Sequence, residues 1–184
     1  MESKKTYTVF VANRLIASGA LEEVLSKMKE CFARDRGTPF LVFDDETGAQ
    51  VDFDLRGTLE EILTRAREKP AAKGPGRPKL GVTAREVTLL PRHWDWLEQQ
   101  ENGASAALRR LIDEARKREP EKARKQQAVQ ATGRFISAMA GNLTGYEEAS
   151  RVLYRGDRKS FREATSRWPK DIREHALYLS KDAF

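Results

Sequence analysis

The sequence predicts an α+β protein in three parts. An N-terminal ββαββα unit comes first. A central unit of one short strand and two helices follows, and a small helical unit ends the chain. Three observations carry this reading. Apolar residues alternate in residues 7–18 and again in 40–55, as half-buried strands require. They recur at three- and four-residue spacing in residues 20–34 and 58–66, as amphipathic helices require. A stretch rich in Lys, Pro and Gly then breaks the chain at residues 69–83. The parts are expected at residues 1–68, 69–83 (a linker), 84–118 and 119–184.

In order, Tyr7, Val9 and Val11 alternate, Asn13 turns the chain, and Leu15 to Ala17 return as the second arm of a hairpin. Leu21, Val24, Leu25, Met28 and Phe32 form one helical stripe, with Cys31 beside it. Phe40–Phe43 and Val51–Leu55 read as two strands around the turn-rich Asp44-Asp45-Glu46-Thr47-Gly48. Thr58 with Glu61 is a capping box opening a helix with Leu59, Ile62, Leu63 and Ala66 inward. Helices on one face of the sheet are the expected packing.

Arg85–Leu90 is read as the central strand, with β-formers Val87 and Thr88. Pro91 stops it and opens a helix in which Trp94, Leu97 and His93 share a face. Asn102 and Gly103 tolerate the left-handed conformation that ends it, and Ser105 is placed to cap a second helix. Leu108, Leu111, Ile112 and Ala115 are the apolar stripe of that helix. A lone strand needs backbone partners, so it pairs with another part of the chain or with a second copy.

The C-terminal part reads as helices with Val129, Ile136, Met139 and Ala140 inward, then Tyr146, Ala149, Val152 and Leu153 up to Gly156. Asp157 caps the next, with Phe161 and Ala164 inward and Trp168 near its end. After Pro169, Asp171 caps the last, with Ile172, Ala176 and Leu179 inward. Tyr154, Phe161 and Trp168 are expected in the core.

Hydrophobic residues make up 39% of the chain and charged residues 34%, so the core is expected to be modest and the helix faces long and charged. No apolar run is long enough to span a membrane and no charged-then-apolar leader is present, so a soluble, cytoplasmic protein is expected. One cysteine excludes an internal disulfide and a Cys-cluster metal site. The net charge of +6 is uneven: Lys+Arg against Asp+Glu is 8 to 12 in residues 1–64, 17 to 9 in 65–134 and 9 to 7 in 135–184. Such asymmetry points to a polyanion partner.

Residues 84–117 resemble the ribbon-helix-helix family, through Val87-Thr88-Leu89, Leu90-Pro91, Ser105 and Leu108-Arg109-Arg110-Leu111-Ile112. The resemblance implies an intertwined homodimer through residues 85–90 and 91–117. Its paired ribbon would enter the DNA major groove, and a phosphate would rest on the backbone at Gly103, Ala104 and Ser105. Family ribbons usually place a polar residue between the last two apolar positions, whereas here Leu89 adjoins Leu90. Two registers therefore stand, with Arg85, Val87 and Leu89 outward or with Glu86, Thr88 and Leu90 outward. Gly76-Arg77-Pro78, with Lys73 and Lys79, resembles an AT-hook core, which implies contact with the minor groove of A·T-rich duplex DNA. Nearly the whole chain resembles an uncharacterised bacterial family of unknown function, through Phe43-Asp44-Asp45, Gln50–Gly57, Gly76–Val82, Leu90–Trp94 and Gly141–Tyr146.

Together these readings lead us to expect a dimeric DNA-binding protein, a transcriptional regulator, with DNA contacts at Lys73, Arg77, Lys79, Arg85, Thr88, Gly103, Ala104 and Ser105. The alternative is an antitoxin-like interaction or adaptor module whose apolar Leu89/Leu90 edge faces another protein. No catalytic residue, cofactor or metal is expected. The strand carboxylates Asp52 and Asp54 alternate with Val51, Phe53 and Leu55 and read as a wet sheet face. His93 and His175 sit in no ligand or triad pattern.

Overall fold

The computed structural model describes residues 5–67 and 85–184. It divides into two compact units, Met1–Lys69 with Arg124–Phe184, and Pro70–Ala123. The described residues are α+β and mostly helical.

The first unit is built on a four-stranded antiparallel sheet of order β2-β1-β3-β4. Its strands are β1 (Thr6–Val11), β2 (Arg14–Ala20), β3 (Phe40–Asp44) and β4 (Gln50–Val51). The β1–β2 hairpin turns at Ala12, whose φ of 50° is left-handed. β4 is shorter than the strand expected over Val51–Leu55. The Asp54 carboxylate accepts from the Arg56 amide at 3.0 Å and grips its guanidinium as well. Such local side-chain bonding competes with a sheet ladder and turns the chain out of it.

Helices α1 (Leu21–Arg34) and α2 (Leu59–Arg67) cover one sheet face. Val24, Leu25, Met28 and Ile62 pack there on Tyr7, Val9 and Val42. The capping box opens α2 as read, with the Glu61 carboxylate accepting from the Thr58 amide at 2.7 Å and Thr58 Oγ1 accepting from the Glu61 amide at 3.3 Å.

The expectation of helices on one face only is corrected. Alternation turns Phe10 and Phe43 to the opposite face, and both are fully buried there. They pack on α5 (Pro120–Ala140), α6 (Tyr146–Arg155), α7 (Arg158–Ala164) and α8 (Lys170–Leu179) through Phe135, Ile136, Leu153, Phe161 and Ile172. The N-terminal sheet and the C-terminal helices thus share a core. Phe135, outside the stripe read from the sequence, is at its centre. Its ring meets Phe43 edge-on at 5.0 Å and Phe10 at 5.6 Å. Burying one such ring stabilises by about 1.5–3 kcal/mol.

Caps set the C-terminal elements. Asp157 Oδ1 accepts from the Ser160 amide at 3.1 Å and starts α7, as expected. Gly156, with φ of 80°, ends α6 in the left-handed conformation. Asp171 does not cap α8, which begins one residue earlier with Pro169 as its N-cap. Its carboxylate accepts instead from the Leu15 amide of β2 at 2.8 Å. Trp168 and Phe161 are core residues, and Trp168 Nε1 donates to the Thr144 carbonyl at 3.0 Å. Tyr154, expected in the core, is 66% exposed and lies across Gly133. One α6 face is already filled by Ala149, Val152 and Leu153.

The described part of the second unit is a helix pair, α3 (Pro91–Glu98) and α4 (Gly103–Arg118). The intervening Asn102 and Gly103 have φ of 68° and 77°. That matches the left-handed reading of these residues. Ser105 lies inside the first turn of α4 rather than at its cap, which is Asn102. Arg85–Leu90, read as a strand, has no regular secondary structure and pairs with no described residue.

Candidate functional site

Two places in the molecule concentrate chemistry. The first is the turn between β3 and β4. Asp44 ends β3 and its carboxylate folds back to accept from the amides of Glu46 and Thr47, both at 3.0 Å. This is the local bonding that makes Asp a turn residue. Gly48 closes the turn, donating its amide to the Asp44 carbonyl at 2.7 Å. Its φ is +65°, and a Cβ there would stand 2.0 Å from the Ala131 carbonyl oxygen of α5. Only glycine allows both that conformation and that approach.

The turn is held from several sides. Lys5 Nζ meets Asp44 Oδ2 at 2.7 Å. Gln127 of α5 donates to Glu46 Oε1 at 3.2 Å, and Arg134 donates to the Thr47 carbonyl at 3.0 Å. From α8, His175 Nε2 stands 3.5 Å from Asp45 Oδ1, with both side chains about one-twentieth exposed. Burial pushes the Asp44 carboxyl up, but the Lys5 ammonium and the Thr47 and Glu46 amides outweigh it and hold it below the ordinary carboxylate value. Burial also lowers His175, against the upward pull of the Asp45 charge, and burial wins. A groove of about 350 Å³ opens beside the turn, lined by Lys5, Asp45, Glu46, Arg124, Tyr178 and Lys181 among others. Its lining mixes both signs of charge. Among the described residues, no group of three His, Cys, Asp or Glu side chains could hold a metal ion.

The second place is the helix pair. Leu97 and Ala107 are its buried apolar residues. Val87, Leu90, Trp96, Leu111 and Ile112 are between 39% and 55% exposed, and Trp94 is 37% exposed. Of the stripe that the periodicity assigns to α4, Leu111, Ile112 and Ala115 are therefore exposed among the described residues and Leu108 is half-buried. Arg85, Thr88, Gly103 and Ser105 are exposed and Ala104 is half-buried. Leu89 is half-buried between exposed Thr88 and Leu90. No side chain caps α4, so its first-turn amides, Ala104 and Ser105 among them, have no side-chain acceptor. Lys73, Arg77 and Lys79 lie outside the described residues.

The expected contact residues on α4 thus come together at one helix start, with Arg85 and Thr88 on the segment leading into α3. The Asp45–His175 pair was not visible in sequence. Asp45 was noted as part of an acidic turn, but its partner lies 130 positions away. Asp52 is exposed and Asp54 is paired with Arg56 at 2.8 Å, but both lie beyond the end of β4 and so on no sheet face. No described helix is long and apolar enough to cross a membrane.

No curated protein and no solved structure matches the chain. A family model described as "Uncharacterized protein conserved in bacteria (DUF2239)" matches residues 6–180, which take in the sheet, the acidic turn, the helix pair and the C-terminal helices. The chain belongs to that uncharacterised bacterial family.

Proposed function

We propose that the protein is a dimeric DNA-binding protein that acts as a transcriptional regulator. The observation that carries this reading is the uncovered apolar face of the α3–α4 pair. Ordering a residue costs about 1–2 kcal/mol of backbone entropy. Two buried side chains, Leu97 and Ala107, offset little of that for a pair of helices. A second copy would cover Val87, Leu90, Leu111 and Ile112 and give Arg85–Leu90 a strand to pair with. Dimerisation would also bring two basic arms and two α4 N-termini together. Arg77 and Lys79 would then sit in the minor groove or on the backbone, Lys73, Arg85 and Thr88 beside them, and a phosphate on Gly103, Ala104 and Ser105. Neither outward ribbon set is rich in base-reading side chains, so affinity rests on charge.

One observation favours the alternative of a protein-interaction module. Arg85–Ala123 carries eight Lys/Arg and eight Asp/Glu, so this segment as a whole has no net charge. In that case the apolar face of the pair would receive another protein, as an antitoxin-like adaptor does.

The test is binding to a labelled A·T-rich duplex, a G·C-rich duplex and a single strand across a salt series. The Arg77→Ala/Lys79→Ala/Arg85→Ala variant runs alongside. Three lost phosphate contacts should flatten the slope of log affinity against log salt by about 3. A preference for A·T would place the arm in the minor groove. Absence of duplex binding at low salt, or a monomer mass at micromolar concentration, would overturn the reading.

A further inference from the structure

We propose that Asp45 and His175 form a proton-operated latch, which holds the β3–β4 turn on α8 while the imidazole is neutral and releases it when the imidazole takes a second proton. The inference is independent of DNA binding and rests on the geometry of the first unit.

The two groups come from opposite ends of the chain and meet out of water. Their side chains are 4% and 5% exposed. Neither His175 Nε2 nor Asp45 Oδ1 has a hydrogen-bond partner among the described residues. Each is therefore the other's nearest recourse, at 3.5 Å. At that distance the pair makes no hydrogen bond, but a neutral imidazole with its proton on Nε2 presents a donor to the carboxylate. The rest of the ring is enclosed by aromatic carbon. Phe135, Phe10 and Tyr178 have their centroids at 4.6, 5.7 and 5.8 Å from it. A second proton would make a cation in that enclosure, and buried charge is costly unless well paired.

Of the other charged groups on the surrounding elements, several are engaged or lie along the groove, and Arg173 of α8 has a buried Nε without a hydrogen-bond partner among the described residues. At the start of β1, Lys5 pairs with Asp44 of the turn. Glu46 of the turn accepts from Gln127 of α5. Arg134 of α5 binds the Thr47 carbonyl, and Asp171 of α8 binds the Leu15 amide. Arg124, Lys181 and Asp182 line the groove with Tyr178. Asp45 is the charge paired with His175, and at 3.5 Å it is too long a contact to offset burial fully.

The sign follows. The imidazole of the closed state lies below its ordinary value, because burial outweighs the Asp45 charge. In the released state it is solvated and ordinary, at about 6.5. As pH falls through that value the released state binds the proton first, so latch stability is full above it and declines below it. The released population can grow by up to about tenfold per pH unit until the closed state also takes the proton. Asp44 does not confuse this window. Its carboxyl lies below the ordinary carboxylate value of about 3.9, so it stays ionised at pH 5–7.

The test uses the full chain. The ring protons of His175 are titrated by NMR between pH 8 and 4.5. Amide hydrogen exchange of residues 44–50, corrected for intrinsic rates, is followed over the same range. His175 is expected to titrate below the ordinary imidazole value of about 6.5, and the turn is expected to exchange about tenfold faster at pH 5 than at pH 7. In His175→Gln, whose side chain carries no titrating proton, that acceleration should vanish. In Asp45→Asn, His175 should titrate lower still, because the charge that favours its protonation is gone. A merely structural contact would leave the pH dependence of exchange intact in His175→Gln, and that result overturns the latch. So does a His175 that titrates at or above the ordinary imidazole value of about 6.5, a readout on the unaltered protein that decides the matter even if the variants fail to fold.

Discussion

The two units use the same raw material, amphipathic helices with charged outer faces, and cover their apolar stripes very differently. In the first unit the sheet offers two apolar faces, and every stripe set against it finds a partner. Phe10, Phe43, Phe135, Phe161 and Ile172 are all fully buried. In the second unit α4 has a comparably regular stripe, yet Leu111 and Ile112 stay 39% and 55% exposed. Regular periodicity reports that a helix has a side to cover. Whether the same chain covers it depends on a long-range scaffold, here the sheet. A stripe without one is where a partner, a second copy above all, is to be sought.

The contrast can be broken or sharpened by substitution. The largest effect should come from Phe135→Ala, which opens a cavity where the sheet meets α5 and should cost about 3–5 kcal/mol in denaturant unfolding. A loss below about 1 kcal/mol would mean that sheet and helices do not depend on one another. Trp168→Phe comes next. It keeps a ring in the core but strands the Thr144 carbonyl, and should cost about 1–3 kcal/mol by the same measurement. The smallest effect should come from Leu111→Ala with Ile112→Ala. At dilutions where the chain is monomeric, each should change stability by no more than about 0.5 kcal/mol, as exposed sites do. At micromolar concentration the same pair should shift the sedimentation coefficient toward the monomer. Large losses in the dilute monomer would show that the face is covered within one chain and would erase the contrast.

Much of the local structure was legible in residues that act over one turn. Thr58 with Glu61, Asp157 before α7, Gly156 after α6 and the left-handed Asn102-Gly103 are all self-contained signals, because the groups that they satisfy lie within a few positions. Errors fell where a neighbour in space outweighed the neighbour in sequence. Asp171 has the right spacing for a cap, but the Leu15 amide claims it. Tyr154 falls on a helix full of apolar residues, yet the buried side of α6 is complete without it. Val51–Leu55 alternates like a strand, but the Asp54 bonds to Arg56 divert it after Val51. Of the candidate site, exposed Arg85, Thr88, Gly103 and Ser105 and half-buried Ala104 lie on local elements that the pattern itself marks. The buried Asp45–His175 pair could not.

By itself, then, the sequence determined element types, most of their ends, the uneven distribution of charge and the presence of an apolar stripe on α4. These depend on backbone conformation and on spacing within one element. Tertiary structure decided that both faces of the sheet are covered, that Phe135 lies at the centre of the core, and that the side chains of Asp45 and His175 are buried against each other. The reason is physical. Alternation states which way a side chain points but not what lies opposite, and burial of a polar group depends on segments far along the chain that close over it.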